Sequence, residues 1–307
     1  MLLLILALQT AQAPAPGDAV LAAARRAVTT LSDTAAVRAA GYRPISEARI
    51  PDGLPFQGWH WRRAQPGDTT PEVALDQPAF IMFAPVNGVA QRIAVAYSAA
   101  LLLDAPEPAG LGGDPGAKWH DHFWCEGVPN IPAGFLVNDR AACAARGGTL
   151  QPRRTAMVHV WTDVPNPEGL YGNDNPALPY VAVGLTPPTA HDLHDPARVR
   201  AVRALGMALA ETYGSRMPVA NRVQRDNTDA ALADSVARRR AAITAGVSAL
   251  KTADSKGDRA AFDRLAREII AEWEALLGLY GRMAATPQLR TQVARAHERV
   301  LNVSAHH

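Results

Sequence analysis

The chain is expected to fold as an α+β protein, with an N-terminal helix, a mainly antiparallel β-sheet or barrel-like domain, and a C-terminal helical hairpin or bundle. Three observations carry this expectation. Residues 18–40 are alanine-rich and apolar at helical spacing. From Tyr42 to about Pro188, proline and glycine recur every few residues between short apolar or β-branched runs. After Pro188 apolar residues return at spacings of three and four. The predicted organisation is a signal peptide at 1–16, a helix plus β domain at 17–188, and a helical region at 189–307.

Each element has a local reason. Asp18 is placed to cap the first helix, Ser32-Asp33 restarts a second short one, and Gly41 stops it. "AFIMFAPV", "RIAVAYSAALLL", "AMVHVWT" and "YVAVGL" read as strands, while "GWHWRR" and "KWHDHFW" alternate as strands do. "PVNG" before Val89 is a hairpin turn. In the helical region Asp195-Pro196 is a cap followed by proline at the first helical position. Asn227-Thr228, Asp258 and Thr286-Pro287 open three further helices, with stripes such as Leu289, Val293 and Val300. These stripes read as packing faces for the β domain, an oligomer or a partner.

Composition and the first residues bound the function. The 307 residues are 48% hydrophobic and 20% charged, with a net charge of +2, as in an ordinary globular protein. Arg238-Arg239-Arg240, with Asp234 nearby, reads as a solvated helix face, and no nucleic-acid motif is present. "MLLLILALQTAQA" has a short apolar run and an A-x-A site at Ala11-Gln12-Ala13, as in an exported chain, although it lacks a basic start and Pro14 follows the site. No later run is apolar enough to span a bilayer. A periplasmic or secreted location lets Cys125 and Cys143 pair, closing a loop worth ~3 kcal/mol in the chain-entropy model. Two separate buried thiols, or Cys125 as a metal ligand, are the alternatives.

The histidines are the most informative feature. His60, His120, His122 and His159 all fall on predicted strands, and Trp59, Trp61, Trp119, Trp124 and Trp161 lie within two residues of one of them. Alternation puts His120 and His122 on one face of a strand. Neighbouring strands could bring His159 and His60 alongside, giving three or four ligands for zinc, copper, iron or manganese. Glu126 competes with His60 for the fourth place. The tryptophans and Tyr97 would bury or line the site. Taken singly, each histidine reads better as a core residue bonded to a carbonyl or carboxylate; it is the four together, with the H-x-H pair among them, that point to a metal. His191, His194 and His297 read as surface or capping residues, and His306 and His307 as a disordered tail.

Two resemblances rest on these residues. "AAGYRPI" at 39–45, "GWHW" at 58–61 and "HVWTDVPNPEGLYGNDNP" at 159–176 resemble a group of exported bacterial proteins of uncharacterised function. That likeness covers roughly residues 35–180, implies the domain organisation, and points to His60 and His159. "HDHFWCE" is similar to the first motif of the cupins, which implies a β-barrel metal site of His120, His122, Glu126 and His159. Gly116 and Gly134 are out of register with the cupin glycines, and "PRRTAMVH" lacks the P-x-G of the second motif. The loop at Asn166–Gly169 and Asn173–Pro176 reads as a series of turns.

The sequence therefore leads to an exported metal-binding protein, with a metal-dependent enzyme as one form of it. Asp121, Glu126, Asp163 and Tyr97 are its acid–base or orienting candidates. No Ser-His-Asp order, G-x-S-x-G elbow, phosphate loop or dinucleotide fingerprint competes. The alternative is a non-catalytic binder of sugars or other small molecules with a tryptophan-rich surface and structural histidines, or an interaction domain acting through its C-terminal helices.

Overall fold

The structure, a computed structural model, describes residues 16–48, 52–63, 73–128, 134–137 and 139–302. The predicted signal peptide, apart from Pro16, and His306 and His307 lie outside the described residues.

Helix α1 (Pro16–Ala27) buries Val20 and Ala24, four residues apart, with Val28 just beyond its end. Helix α2 (Thr34–Ala39) starts where expected, because the Asp33 carboxylate accepts hydrogen bonds from the amides of Ala35 and Ala36 at 2.9 Å. Seven strands follow: β1 (Tyr42–Pro44), β2 (Trp59–Arg63), β3 (Phe80–Val86), β4 (Val89–Leu102), β5 (His120–Glu126), β6 (Phe135–Val137) and β7 (Thr149–Val160). A short helix α3 (Arg140–Ala144) precedes β7. The strands form one antiparallel sheet in the order β1-β2-β3-β4-β7-β5-β6, curled into a half-barrel. β3 and β4 meet at Asn87-Gly88, whose φ values of 50° and 78° suit a two-residue hairpin.

The two faces of the sheet bury different cores. One packs Ile81, Phe83, Val95, Tyr97, Val158 and Val160 beneath α1 and α2. The other packs Phe80, Met82, Ala94, Ala96, Met157 and Trp161 against Ala177 and Leu178. The far end of β5 is tied to α3 by a disulfide between Cys125 and Cys143, which excludes Cys125 as a thiolate ligand.

One predicted strand is a helix. "YVAVGL" lies in and just after α4 (Leu178–Val183), with proline in its first turn and Gly184 ending it at a φ of 75°. An apolar run of this length does not separate a buried strand from a buried helix; the flanking Pro179 and Gly184 are the helical signals. α5 (Pro196–Thr212) begins at the Asp195 cap, whose carboxylate accepts from Ala197 and Arg198. α6 (Pro218–Arg225) is a helix the sequence reading missed. α7 (Ala230–Ser255) is capped by Asp229, two residues beyond the expected start. α8 (Arg259–Met283) and α9 (Pro287–Leu301) are capped by Asp258 and Thr286 as expected. The helices share a core built around Leu209, Ile243, Leu250, Trp273, Leu276 and Tyr280, which Phe56 and Tyr180 also enter. No helix among the described residues is long and apolar enough to cross a membrane.

Candidate metal centre

Strand register decides which histidines can meet. His60 faces Met82 across β2 and β3, His159 faces Ala96 across β7 and β4, and His120 faces Met157 across β5 and β7. Cross-strand partners share a face, so His60, His159 and His120 stand on the same side as Met82, Ala96 and Met157. His122, two residues along from His120, stands there too.

β2 and β7 are separated by β3 and β4, so side chains standing upright on a flat sheet would be about 14 Å apart. The ring centroids of His60 and His159 are 5.6 Å apart. The curl of the sheet closes that distance on its concave side, and the small side chains of Ala94 and Ala96 leave the space. The other rings continue the group, with His120 and His159 at 5.0 Å and His120 and His122 at 5.0 Å. His60 and His159 form the buried floor, while His120 and His122 are half-buried.

Both floor imidazoles are held from behind. Nδ1 of His159 lies 2.8 Å from the carbonyl oxygen of Asn173. A carbonyl only accepts, so Nδ1 carries the proton and Nε2 presents its lone pair. That Nε2 is buried with no hydrogen-bond partner. His60 donates from Nδ1 to Oδ1 of Asp52 at 2.9 Å, and its backbone amide donates to Oδ2 at 2.6 Å. In the tautomer that this bond sets, the lone pair of the His60 ring is on Nε2. Metal-ligating histidines are anchored in this way, through the nitrogen that does not bind the ion.

Burial and mutual repulsion keep His159 and His120 neutral. Burial, then the nearby His60, pushes the His159 imidazole down to about 3, against a smaller upward pull from the Asn173 carbonyl. Burial also holds His120 well below the usual range, reinforced by His159, His122 and His60. Neutral imidazole is the metal-binding form.

The ring spacing can be compared with what coordination requires. A metal–nitrogen bond of about 2.1 Å puts each ring centre about 3.2 Å from the ion, so two imidazoles at a tetrahedral angle lie about 5.2 Å apart. The separations of 5.0, 5.0 and 5.6 Å bracket that value. Among the described residues, no group of three or more His, Cys, Asp or Glu side chains has its donors in the positions of a metal shell. Coordination would therefore require a rearrangement within the group.

The other expected site residues lie elsewhere. Glu126 is at the exposed end of β5, where its carboxylate accepts from Trp124 and Gln151. Tyr97 is fully buried on the opposite face, donating to the Leu75 carbonyl at 2.8 Å, and burial raises its pKa far above the ordinary range. Trp61 and Trp119 also pack on the α1 side, and Trp59 shares that face through its partner Phe83. Among the described residues, Trp161 packs beside His159, 5.9 Å away, with Nε1 donating to Gly172 at 2.7 Å, and Trp124 stands on the His122 face of β5 with Nε1 donating to Glu126. Asp121 is paired with Arg154 and Asp163 with Arg92, so neither carboxylate is a spare acid or base. His297, expected at the surface, is 3% exposed inside the helical core and donates to the Val293 carbonyl; its spacing from Val293 and Leu301 placed it on the buried stripe. Asp52 and Asn173 were missed. Nothing in their sequence surroundings distinguishes them, since one acts from a loop and the other through its main chain.

Comparison of the chain with family models, with curated proteins and with solved structures returns no match.

Proposed function

We propose that this is an exported protein that binds one divalent transition-metal ion between His60, His120, His122 and His159. The observation that carries the reading is the buried, unpartnered Nε2 of His159, in a ring fixed from behind by Asn173 and facing a second ring fixed by Asp52. A buried polar atom without a partner costs about 1–3 kcal/mol, and a metal bond at that lone pair would remove the cost. The donors are nitrogen alone, because Glu126 is engaged at the end of β5. Imidazole without carboxylate suits zinc, copper or iron better than manganese. The Cys125–Cys143 disulfide supports an oxidising compartment.

When bound, such an ion would supply Lewis acidity. His120 and His122 are the half-buried members of the group, so a substrate would approach from their side. The alternative of a tryptophan-lined ligand surface has less support, since Trp61 and Trp119 serve the opposite core and Trp161 is buried.

The test is metal content. Purified protein, stripped and then loaded separately with zinc and with copper, should retain close to one ion per chain. His120→Ala with His122→Ala, and His159→Ala alone, should each retain almost none. Equal, weak retention by wild type and variants would end this reading.

A further inference from the structure

We infer that Arg203, on α5, is a positioning residue for the histidine site: it holds the loop whose Asn173 carbonyl orients His159. This rests on the metal-binding reading for its purpose, though not for its geometry.

Arg203 is 2% exposed, and its guanidinium donates to Glu168 at 2.6 Å, to Asp174 at 3.0 Å and to the Val300 carbonyl at 2.9 Å. Glu168 and Asp174 lie in the loop between β7 and α4, and Asp174 follows Asn173 directly. The planar fork of Arg203 therefore fixes two points of the loop, one of them adjacent to the carbonyl that accepts from His159. From the opposite side Asp174 receives Gln57 at 3.0 Å, and the Asn175 amide donates to the Phe56 carbonyl at 2.8 Å. Arg203 also lies over the Phe56 ring, 5.2 Å from its centre. Phe56 and Gln57 belong to the segment that contains Asp52, the anchor of His60. A single α5 side chain thus joins the two loops that fix the two floor histidines.

A purely structural ion cluster would not need this arrangement. Burying an arginine with two carboxylates carries a large desolvation cost and is often no more stabilising than an apolar replacement. Its contribution to orientation is different, because a carbonyl that can wander no longer dictates which nitrogen of His159 carries the proton. Metal sites that lose such outer partners typically lose 10–100-fold in affinity.

The experiment compares wild type with Arg203→Gln, Arg203→Lys and Arg200→Gln in the full chain. Arg200 is the control: it lies on the same helix and pairs with Glu298. Two quantities are read, the zinc dissociation constant and, in metal-free protein, the nitrogen-15 shifts that report the His159 tautomer. Arg203→Gln should weaken zinc binding 10–100-fold and replace a fixed Nδ1–H tautomer by a mixture. Arg203→Lys should recover part of both effects, and Arg200→Gln should change neither. If Arg203→Gln does not fold, Arg203→Lys decides, with a tautomer mixture as the supporting result. A folded Arg203 variant with the wild-type tautomer would overturn the proposal. Should wild type bind no zinc at all, the metal reading fails, while the tautomer comparison still decides the role of Arg203.

Discussion

Two buried histidines, one in the sheet and one in the helical core, have much in common locally. His159 and His297 are 1% and 3% exposed, and each Nδ1 donates to a main-chain carbonyl, at 2.8 and 2.7 Å. Each also has a tryptophan ring 5.9 Å away. They differ in where the carbonyl comes from and in what stands opposite. The partner of His297 is Val293, one turn back on its own helix, so the bond is a by-product of helix geometry. The partner of His159 comes from a separate loop clamped by α5. His159 also faces other imidazoles with an unpartnered Nε2, whereas the ring contact recorded for His297 is with Trp273. Burial beside a tryptophan therefore does not mark out a candidate ligand; an anchor from outside the element, together with converging rings, does.

The largest contrast between the two should be metal binding itself. His159→Ala is expected to abolish retention of zinc or copper, whereas His297→Ala should leave one ion per chain and lower only stability. Equal retention in the two variants, measured by elemental analysis, would erase the distinction.

Acid should act on both. A histidine held at about 3 in the folded protein but near 6.5 when unfolded binds more protons in the unfolded state. Its stabilising effect is complete above pH 6.5 and is lost as pH falls from there toward 3, by up to about 1.4 kcal/mol per pH unit. His120 and His297 are shifted in the same direction. Metal-free protein should lose stability steeply between pH 6.5 and 4 in urea titrations. His159→Gln should flatten that slope by close to one proton; a slope unchanged by it would mean that His159 is charged in the native state.

The disulfide sharpens the comparison at the level of regions. It staples the far end of the strand that carries His120 and His122, and no bond of this kind is present among the described residues of the helical region. Replacing both cysteines by serine closes no loop across the 18-residue separation and should cost about 3 kcal/mol in urea unfolding. Far-ultraviolet helicity in water should be unchanged. Loss of helicity in step with the sheet would show that the helices depend on it.

How much of this was legible follows from where each piece of information resides. The His120–His122 pair was readable because strand alternation is local, and so were the Asp33, Asp195, Asp258 and Thr286 caps. The approach of His60 to His159 was not, since it depends on strand order and on the curl of the sheet. Face parity misplaced Tyr97. It pairs with Val158 while Ala96 pairs with His159, a difference of one residue that only the register reveals. Glu126 was misjudged for a different reason. Alternation keeps it on the face of His122, but it stands at the exposed far end of β5, beside Trp124 and Gln151.

The smallest effect concerns the two tryptophans. Trp161 donates to Gly172, next to Asn173, while the Nε1 of Trp273 is buried without a partner. Tryptophan to phenylalanine removes a similar volume at both sites, so the cavity cost should be comparable. At Trp161 it also removes a hydrogen bond worth about 1 kcal/mol and leaves a carbonyl unsatisfied. At Trp273 it removes a donor that bonds to nothing, which should offset part of the cavity cost. Trp161→Phe is therefore expected to be the more destabilising by about 1–2 kcal/mol, and the only one of the two to weaken metal binding, through the freed loop. Equal losses of stability would mean that the Gly172 bond contributes little, leaving the Arg203 cluster as the principal hold on the Asn173 carbonyl.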